Sequence, residues 1–233
     1  MQADPPWLSL IVPVLDEGPG LEAALQALAS WRGPGAELIV VDGGSSDDSL
    51  SIAGRWADQT LSAPRGRAAQ MNAGAAAARG QWLMFVHADT RLPPAAWPAL
   101  RALPEGGIWG RFDVRIDSPR CSLALVGFMM NLRSRLSGIA TGDQAMFVRR
   151  AVFDQVGGFP DIALMEDIAL SRRLKALVRP VCLRPPVITS ARRWLRHGVW
   201  STIWLMWRLR AAYFFGADPD VLALRYGYRP RSR

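Results

Sequence analysis

The chain has 233 residues, of which 50% are hydrophobic and 21% are charged, so it suits one large folded domain and excludes a disordered chain. The formal net charge is +8, and because Lys175 is the only lysine, arginine carries nearly all of the positive charge. Arginine suits phosphate groups, but no nucleic-acid-binding motif is present, so nucleic acid is not expected as a partner.

The cysteines and the N-terminus predict the compartment. Cys121 and Cys182 are the only cysteines and show no pairing pattern, so neither a disulfide framework nor a zinc site is expected. The opening MQADPPWLSLIVPV lacks the basic region and long apolar stretch of a signal peptide. We therefore expect a cytoplasmic protein, with attachment to the inner face of the membrane left open.

The first half of the chain alternates predicted strands and helices. Apolar, β-branched runs predict strands at 8–14, 36–42, 59–63 and 81–86. Helical spacing of apolar residues predicts helices at 20–31, 47–57 and 66–80, and the pair Pro93-Pro94 predicts the start of another. This alternation predicts an α/β fold in which helices cover both faces of a mostly parallel sheet.

The pattern changes after residue 105. Alternating apolar and polar residues at 108–117 predict a half-solvated strand of the antiparallel type. Helices are predicted at 121–138 and 165–177, with a strand that turns into a helix at 144–159. In the helix at 165–177, the residues expected to face the core are Ile168, Leu170, Leu174 and Leu177.

No linker or repeat divides the chain sharply. We predict one domain over 1–195, with a nucleotide-binding half at 1–105 and an acceptor half at 106–195. The remaining residues, 196–233, are predicted to form a helical, basic tail.

Acidic residues follow three of the predicted strands: Asp16-Glu17 after the first, Asp42 after the second and Asp89 after the fourth. Ligands of parallel α/β sheets bind beyond the carboxyl ends of the strands, so these residues indicate a site. The alternative is that each one caps a helix or lies in a solvated loop. Neither G-x-G-x-x-G after the first strand nor a P-loop motif occurs, which counts against dinucleotide and P-loop binding.

Two arginines, Arg65 and Arg67, fall at the start of the predicted helix 66–80. A helix N-terminus disfavours positive charge, so arginines there make sense if they share an anion such as a diphosphate with the free N–H groups. The alternative is that both side chains point into water.

The segment FVHADTRLP brings an imidazole and a carboxylate together where a strand ends. His87 and Asp89 could hold a metal ion over a phosphate, or could belong to an ordinary capped turn.

Taken together, these motifs resemble a family 2 glycosyltransferase with the GT-A fold. The segments LIVPVLDE, ELIVVDGGSSDDS, GRAAQMNAG, FVHADT, GDQAMFVRRAVFDQVGGF and MEDIALSRRL occur in that family's order across 8–177. The HADT form resembles a bacterial subgroup of selenodomain-associated or arsenosugar-biosynthesis glycosyltransferases. The resemblance implies that a sugar moves, with inversion, from a UDP- or GDP-sugar to an acceptor hydroxyl with the help of Mn²⁺ or Mg²⁺.

The resemblance also assigns donor and metal residues. Residues matching those near the donor nucleotide are Pro13, Glu17, Asp42, Arg67 and Asp89. Asp89 matches the last aspartate of the Asp-x-Asp signature, which holds the metal on the diphosphate. His87 stands where the family usually has aspartate, and an imidazole shifts the preference from Mg²⁺ towards Mn²⁺.

On the acceptor side, the matching residues are Gly142, Asp143, Arg193 and Trp194. The glutamine that opens the Arg-Trp signature of processive members is absent, so processive synthesis is not expected. Asp167 matches the general base, with Glu166 beside it; the alternative is that both acids only charge a helix N-terminus. The two carboxylates are not expected to point the same way if they open a helix.

The tail contains an apolar segment, 196–216, in which Trp200, Trp204 and Trp207 share one helical face. Three placements stay open: burial in the core, packing in a homodimer, or contact with a membrane surface. Membrane contact would favour a lipid-linked acceptor over a small molecule.

Two other functions also stay open: a nucleotidyltransferase, which the acidic loop VLDEGPG disfavours, and a non-catalytic, membrane-associated transferase-like protein.

Overall fold

The computed structural model describes residues 5–32 and 35–228. It contains the strands predicted for the first half, namely β1 (Leu8–Val14), β2 (Ala36–Asp42), β3 (Gln59–Ser62) and β4 (Trp82–Phe85). All residues of β1, β2 and β4 are buried, which explains why continuous apolar runs predict them. The predicted helix stop at 33–34 and the basic end at 229–233 lie outside the described residues.

The predicted helices of this half are present as α1 (Gly18–Ala29), α2 (Ser49–Trp56) and α3 (Arg67–Ala77). A fourth helix, α4 (Ala96–Arg101), follows the proline pair.

Four more strands and six more α-helices complete the described part of the chain. The strands are β5 (Thr90–Arg91), β6 (Trp109–Asp117), β7 (Met146–Arg149) and β8 (Val181–Ser190). The helices are α5 (Cys121–Ser137), α6 (Arg150–Gln155), α7 (Glu166–Leu177), α8 (Arg192–His197), α9 (Val199–Phe214) and α10 (Pro219–Tyr226).

The described strands form one mixed sheet in the order β3-β2-β1-β4-β7-β6-β8-β5. The strands β3, β2, β1 and β4 are parallel, whereas β7 is antiparallel to its neighbours β4 and β6. Leu10 of β1 packs with Leu25 of α1 in one apolar cluster, and Ile11 packs with Met71 of α3 in a second. Alternate residues of one strand therefore enter different cores, and the predicted α/β sheet with helices on both faces is confirmed.

Two details of the second half differ from prediction. The antiparallel pairing expected of β6 covers only Trp109 and Gly110, which pair with β7; most of β6 runs parallel to β8. Leu177 is 47% exposed, unlike Leu170 and Leu174, because it is the last residue of α7 and lies outside the cluster that buries them. Helical spacing alone does not show where the core stops.

The C-terminal helices pack against the segment that precedes α7. Leu209 of α9 and Leu222 of α10 are buried in a cluster with Leu164 and Met165. The tryptophans of α9 are exposed, so the alternative that buries this face in the core of the chain is wrong. Within 5–32 and 35–228, no helix combines the length and apolarity needed to cross a membrane. The boundary between 1–195 and 196–233 stays a prediction.

An arginine is buried where the alternation of β6 predicts a solvated side chain. Arg111 forms an ion pair with Asp113, and its Nε donates to Ser134 Oγ at 3.0 Å and its Nη2 to the Asn131 carbonyl at 3.1 Å. Asp113 also pairs with Arg135 of α5, so this one carboxylate binds two arginines and joins β6 to α5. A buried guanidinium is tolerated only with such partners.

We expect Asp113→Asn to lower the free energy of unfolding by about 3 kcal/mol, because it removes the counter-charge of a fully buried arginine. Asp117→Asn is the matched control, since Asp117 pairs with Arg91 on the surface and should cost less than about 1 kcal/mol. Urea unfolding measures both, and equal losses in the two variants would contradict the role given to Asp113.

Candidate donor and acceptor site

A cavity of about 510 Å³ lies at the carboxyl ends of β1 and β4. Pro13 and Val14 border it at the end of β1, and His87 and Asp89 border it after β4. The opposite wall comes from the end of β8 and from α8, α9 and α10. The edge of the sheet that the sequence predicted as a binding site therefore borders a cavity.

The predicted site residues divide into two groups. Those that line the cavity are Pro13, Glu17, Arg67, His87, Asp89, Asp143, Arg193 and Trp194. Those that do not line it are Asp42, Gly142, Glu166 and Asp167. In the second group, Asp167 is hydrogen-bonded to Gly142, whose neighbour Asp143 lines the cavity.

Asp42 is buried and organises the loop after β2. Its carboxylate accepts hydrogen bonds from the Gly44 N–H at 2.9 Å and from the N–H and hydroxyl of Ser45. The structure thus assigns Asp42 a role in shaping the loop, and its predicted contact with a ribose or base stays a prediction.

Arg192, the first residue of α8, joins the two carboxylates on the donor side of the cavity. Its Nη2 donates to Glu17 Oε2 at 2.8 Å and lies 3.9 Å from Asp89 Oδ2. The hydrogen bond with Glu17 raises the pKa of Arg192. Glu17 and Asp89, which are 72 residues apart in sequence, are therefore held by one cation that the sequence analysis did not identify.

His87 and Asp143 lie next to each other in the cavity wall, with Nδ1 of the imidazole 3.4 Å from Oδ1 of the carboxylate. Burial favours the neutral acid, but the hydrogen bond with His87 and the charge of Arg67 outweigh it and lower the pKa of Asp143. The His87 ring also lies against the Cα of Gly142, so that a Cβ there would overlap it. Gly142 is thus a glycine because the imidazole needs the space.

The adjacent acids Glu166 and Asp167 open α7 and lie in different surroundings. Asp167 is half-buried, and its Oδ2 accepts the Gly142 N–H at 2.9 Å. Glu166 is only 4% exposed. Burial and the neighbouring charge of Asp167 raise the pKa of Glu166 from 4.5 to about 7, although Arg67 opposes the shift.

Arg67 is the first residue of α3 and the centre of positive charge in this cluster. Burial disfavours its charged form, but the carboxylates of Glu166, Asp143 and Asp167 outweigh burial and raise the pKa of Arg67. A guanidinium at a helix N-terminus with several acids around it remains fully charged, and its exposed end lies in the cavity.

Several lining residues on the C-terminal side were not predicted from the sequence: Arg192, Arg196, His197, Tyr226 and Tyr228. The guanidinium of Arg193 stacks on the Tyr226 ring at 3.7 Å, which fixes α10 against α8. The crowding of arginines in SARRWLRHG was a signal for part of this set, whereas nothing local marked the tyrosines.

Four carboxylates line the cavity, those of Asp16, Glu17, Asp89 and Asp143, together with two imidazoles, those of His87 and His197. In the part of the chain that is described, no three acidic, histidine or cysteine side chains lie close enough to hold an ion by themselves. Such residues fit an ion that also binds ligand oxygens, and the mixed oxygen and nitrogen donors suit Mn²⁺.

Comparison with protein families identifies the chain. The model for "Glycosyl transferase family 2" matches residues 9–155. A "PGL/p-HBAD biosynthesis glycosyltransferase" of Mycobacterium tuberculosis is 30% identical over 167 residues, which cover 66% of this chain and 63% of that protein. The "Uncharacterized glycosyltransferase YibD" of Escherichia coli is 26% identical over 102 residues, 41% of this chain and 30% of its own. The chain thus spans less than two thirds of the length of these relatives.

Solved structures share the fold at low identity. A fragment of S. aureus TarS in complex with UDP-GlcNAc gives a TM-score of 0.65 at 18% identity, over 78% of this chain and 58% of that one. Mannosyltransferase PcManGT from Pyrobaculum calidifontis, in complex with GDP-Man and Mn²⁺, gives a TM-score of 0.62 at 22% identity, over 97% of this chain and 66% of that one. These similarities confirm the predicted GT-A fold.

We expect Glu166→Gln to stabilise the protein at pH 8 and to have little effect at pH 5. Because the folded-state pKa is raised, the folded protein binds this proton more tightly than the unfolded chain, and the wild type loses stability as the pH rises from 4.5 to 7. The variant has no such loss, so its advantage should grow by about 3 kcal/mol between pH 4.5 and pH 8.

Thermal unfolding without ligand at pH 5, 6, 7 and 8 measures this difference. The exposed Glu105→Gln variant removes the same charge from the surface and controls for the change in net charge. A difference between Glu166→Gln and the wild type that stays constant with pH would show that the Glu166 proton is not held more tightly in the folded state.

Proposed function

The chain belongs to glycosyl transferase family 2, and on that premise we propose that it moves a sugar, with inversion, from a nucleotide-diphospho-sugar to an acceptor hydroxyl. The observation that carries the proposal is the cavity at the carboxyl ends of β1 and β4, where Arg67 and Arg192 accompany the carboxylate of Asp89. A diphosphate leaves easily only when its charge is neutralised, and this cavity holds the charges that would do so.

On the donor side, Arg67 would bind the diphosphate, because its guanidinium lines the cavity at the N-terminus of α3. Arg192 would hold Glu17 and Asp89 near each other and oriented, through the contacts that it makes with both. Asp89, with His87 or His197, would hold a divalent metal, which when bound would neutralise charge on the leaving diphosphate. Pro13 would border the nucleotide.

On the acceptor side, Asp167 would act as the general base. A single displacement needs a carboxylate near the acceptor hydroxyl to take its proton, and Asp167 is half-buried and held by the Gly142 N–H. Its bond to Gly142 orients it towards the loop that carries Asp143. Glu166 is too buried to reach an acceptor and would tune the charge of Arg67 instead. Trp194 and Arg193 would complete the acceptor wall.

We expect UDP or GDP to raise the melting temperature in the presence of Mn²⁺, less so with Mg²⁺, and not with a chelator. At about 100 times Kd the gain is about 2.7 kcal/mol, or several degrees for a chain of this size. Asp89→Ala should abolish the metal-dependent part, because it removes the carboxylate that would hold the ion. Asp154→Ala on the exposed side of α6 is the control. If neither UDP nor GDP raised the melting temperature of the wild type, the proposed donor site would be refuted.

We expect Asp167→Asn to lower kcat by about 100-fold or more while the donor still binds, because only proton removal is lost. Asp143→Asn should instead weaken donor and metal binding, since Asp143 is the partner of His87. The release of nucleoside diphosphate from the donor identified by thermal shift measures both variants. If Asp167→Asn kept full activity and Asp143→Asn lost it, the base would be Asp143.

A further inference from the structure

Two helices expose apolar side chains at helical spacing. On α5 these are Leu125, Phe128, Met129, Leu132 and Leu136. On α9 and directly after it they are Trp200, Trp204, Trp207, Phe214 and Phe215. The three tryptophans are 79%, 63% and 66% exposed. We call these ten residues the apolar surface. An apolar stripe of this kind normally faces a core, so one that faces solvent on two helices indicates an interaction site.

The two helices are neighbours at one side of the cavity. At their first turns, Leu123 and Val126 of α5 share an apolar cluster with Val199 of α9. Further along, Met130 of α5 and Met206 of α9 line the same cavity. The apolar surface is therefore carried by elements that also form the wall of the candidate site.

The charged side chains of α5 and α9 are all cationic, and one of them, Arg135, is paired with Asp113. Neither α5 nor α9 contains an acidic residue, whereas each contains two arginines. A second cavity, of about 550 Å³, runs along α9; its lining is apolar except for Arg208 and Arg225. Within the described residues, neither of these arginines forms an ion pair. An apolar groove that ends in two free guanidiniums is complementary to a lipid with an anionic headgroup.

We propose that the apolar surface binds the interface of an anionic lipid bilayer, with α5 and α9 lying on the membrane. Tryptophan and arginine are the residues that interfacial helices use, because indole rings sit at the headgroup level and arginine contacts lipid phosphates. A second copy of the chain fits this surface less well. A symmetric dimer would bring arginines against arginines with no acidic partners on either helix.

This docking also specifies the acceptor class, a step that rests on the proposed function. Because Met130 and Met206 lie on the cavity side of the docked helices, the acceptor side of the cavity would open next to the bilayer. A lipid-linked hydroxyl could then reach the donor without leaving the membrane. The docking itself does not depend on glycosyl transfer.

Co-sedimentation with vesicles tests the docking. We expect the protein to bind vesicles of about 30% phosphatidylglycerol in phosphatidylcholine at least tenfold more strongly than pure phosphatidylcholine, because each arginine near an anionic surface adds attraction. Raising the salt from 50 to 500 mM should weaken this binding. Replacing Trp200, Trp204 and Trp207 with serine should lower binding at least tenfold. Arg208→Gln with Arg225→Gln should remove most of the preference for the anionic vesicles.

Matched controls replace exposed residues elsewhere. Leu50→Ser with Leu177→Ser removes exposed apolar side chains, and Arg172→Gln with Arg184→Gln removes exposed charge; neither should change binding. The tryptophan variant should keep the nucleotide thermal shift of the wild type, which separates a folding defect, or failure of the donor site, from loss of docking. Absence of binding to anionic vesicles, or equal binding by the tryptophan variant, would overturn the proposal. So would a wild-type dimer in light scattering that becomes monomeric in the tryptophan variant.

Discussion

The candidate site depends on the hydrogen bonds that hold together the ends of β1 and β2. The Gln70 amide of α3 donates to the carbonyls of Val14 and Val41, both at 2.8 Å, and so joins the two strands where their ladder ends. The Val14 carbonyl also accepts the Gly43 N–H at 2.9 Å, so the Gln70 amide and the loop after β2 are bound to the same strand end. Gly43 leaves room for the amide, since a Cβ there would lie 3.0 Å from it. Gln70 and Val14, which both line the cavity, are therefore held in place by these hydrogen bonds.

The loops after β1 and β2 are also joined to each other through their carboxylates. Two carboxylates of these loops bind backbone groups of the neighbouring loop: Asp16 accepts from the Ser46 N–H, and Asp47 from the Gly18 N–H. Glu17 lines the cavity beside Asp16, and its partner Arg192 comes from a distant part of the chain. The C-terminal helices thus complete the site, because Arg193 of α8 stacks on Tyr226 of α10. A division after residue 195 would separate residues that line one cavity.

Local patterns predicted the elements whose burial is uniform and failed where distant contacts decide. The bounds of β1 and β2 follow from continuous apolar runs, because both faces of these strands are buried. Arg111 breaks the alternation of β6 because Asp113 and α5 supply its partners, which no local pattern shows. The resemblance to a family indicated His87, Asp89 and Arg67, and all three line the cavity. Tyr226 carries no local signal, since its role arises from the packing of α10.

The protonation of Glu166, the buried acid near Arg67, affects how strongly Arg67 can bind an anion in the cavity. Glu166 loses its proton only near pH 7, so at neutral pH Arg67 has one full and one partial counter-charge behind the wall rather than two. A protonated Glu166 leaves more of the Arg67 charge for an anion in the cavity. By linkage, an anion bound at Arg67 raises the affinity of Glu166 for its proton by the same factor. If the bound anion is a diphosphate, donor binding and proton uptake at Glu166 favour each other. When the diphosphate leaves the cavity, the affinity of Glu166 for its proton falls again. On the proposed function, Glu166 would thereby adjust the charge that Arg67 offers to the diphosphate.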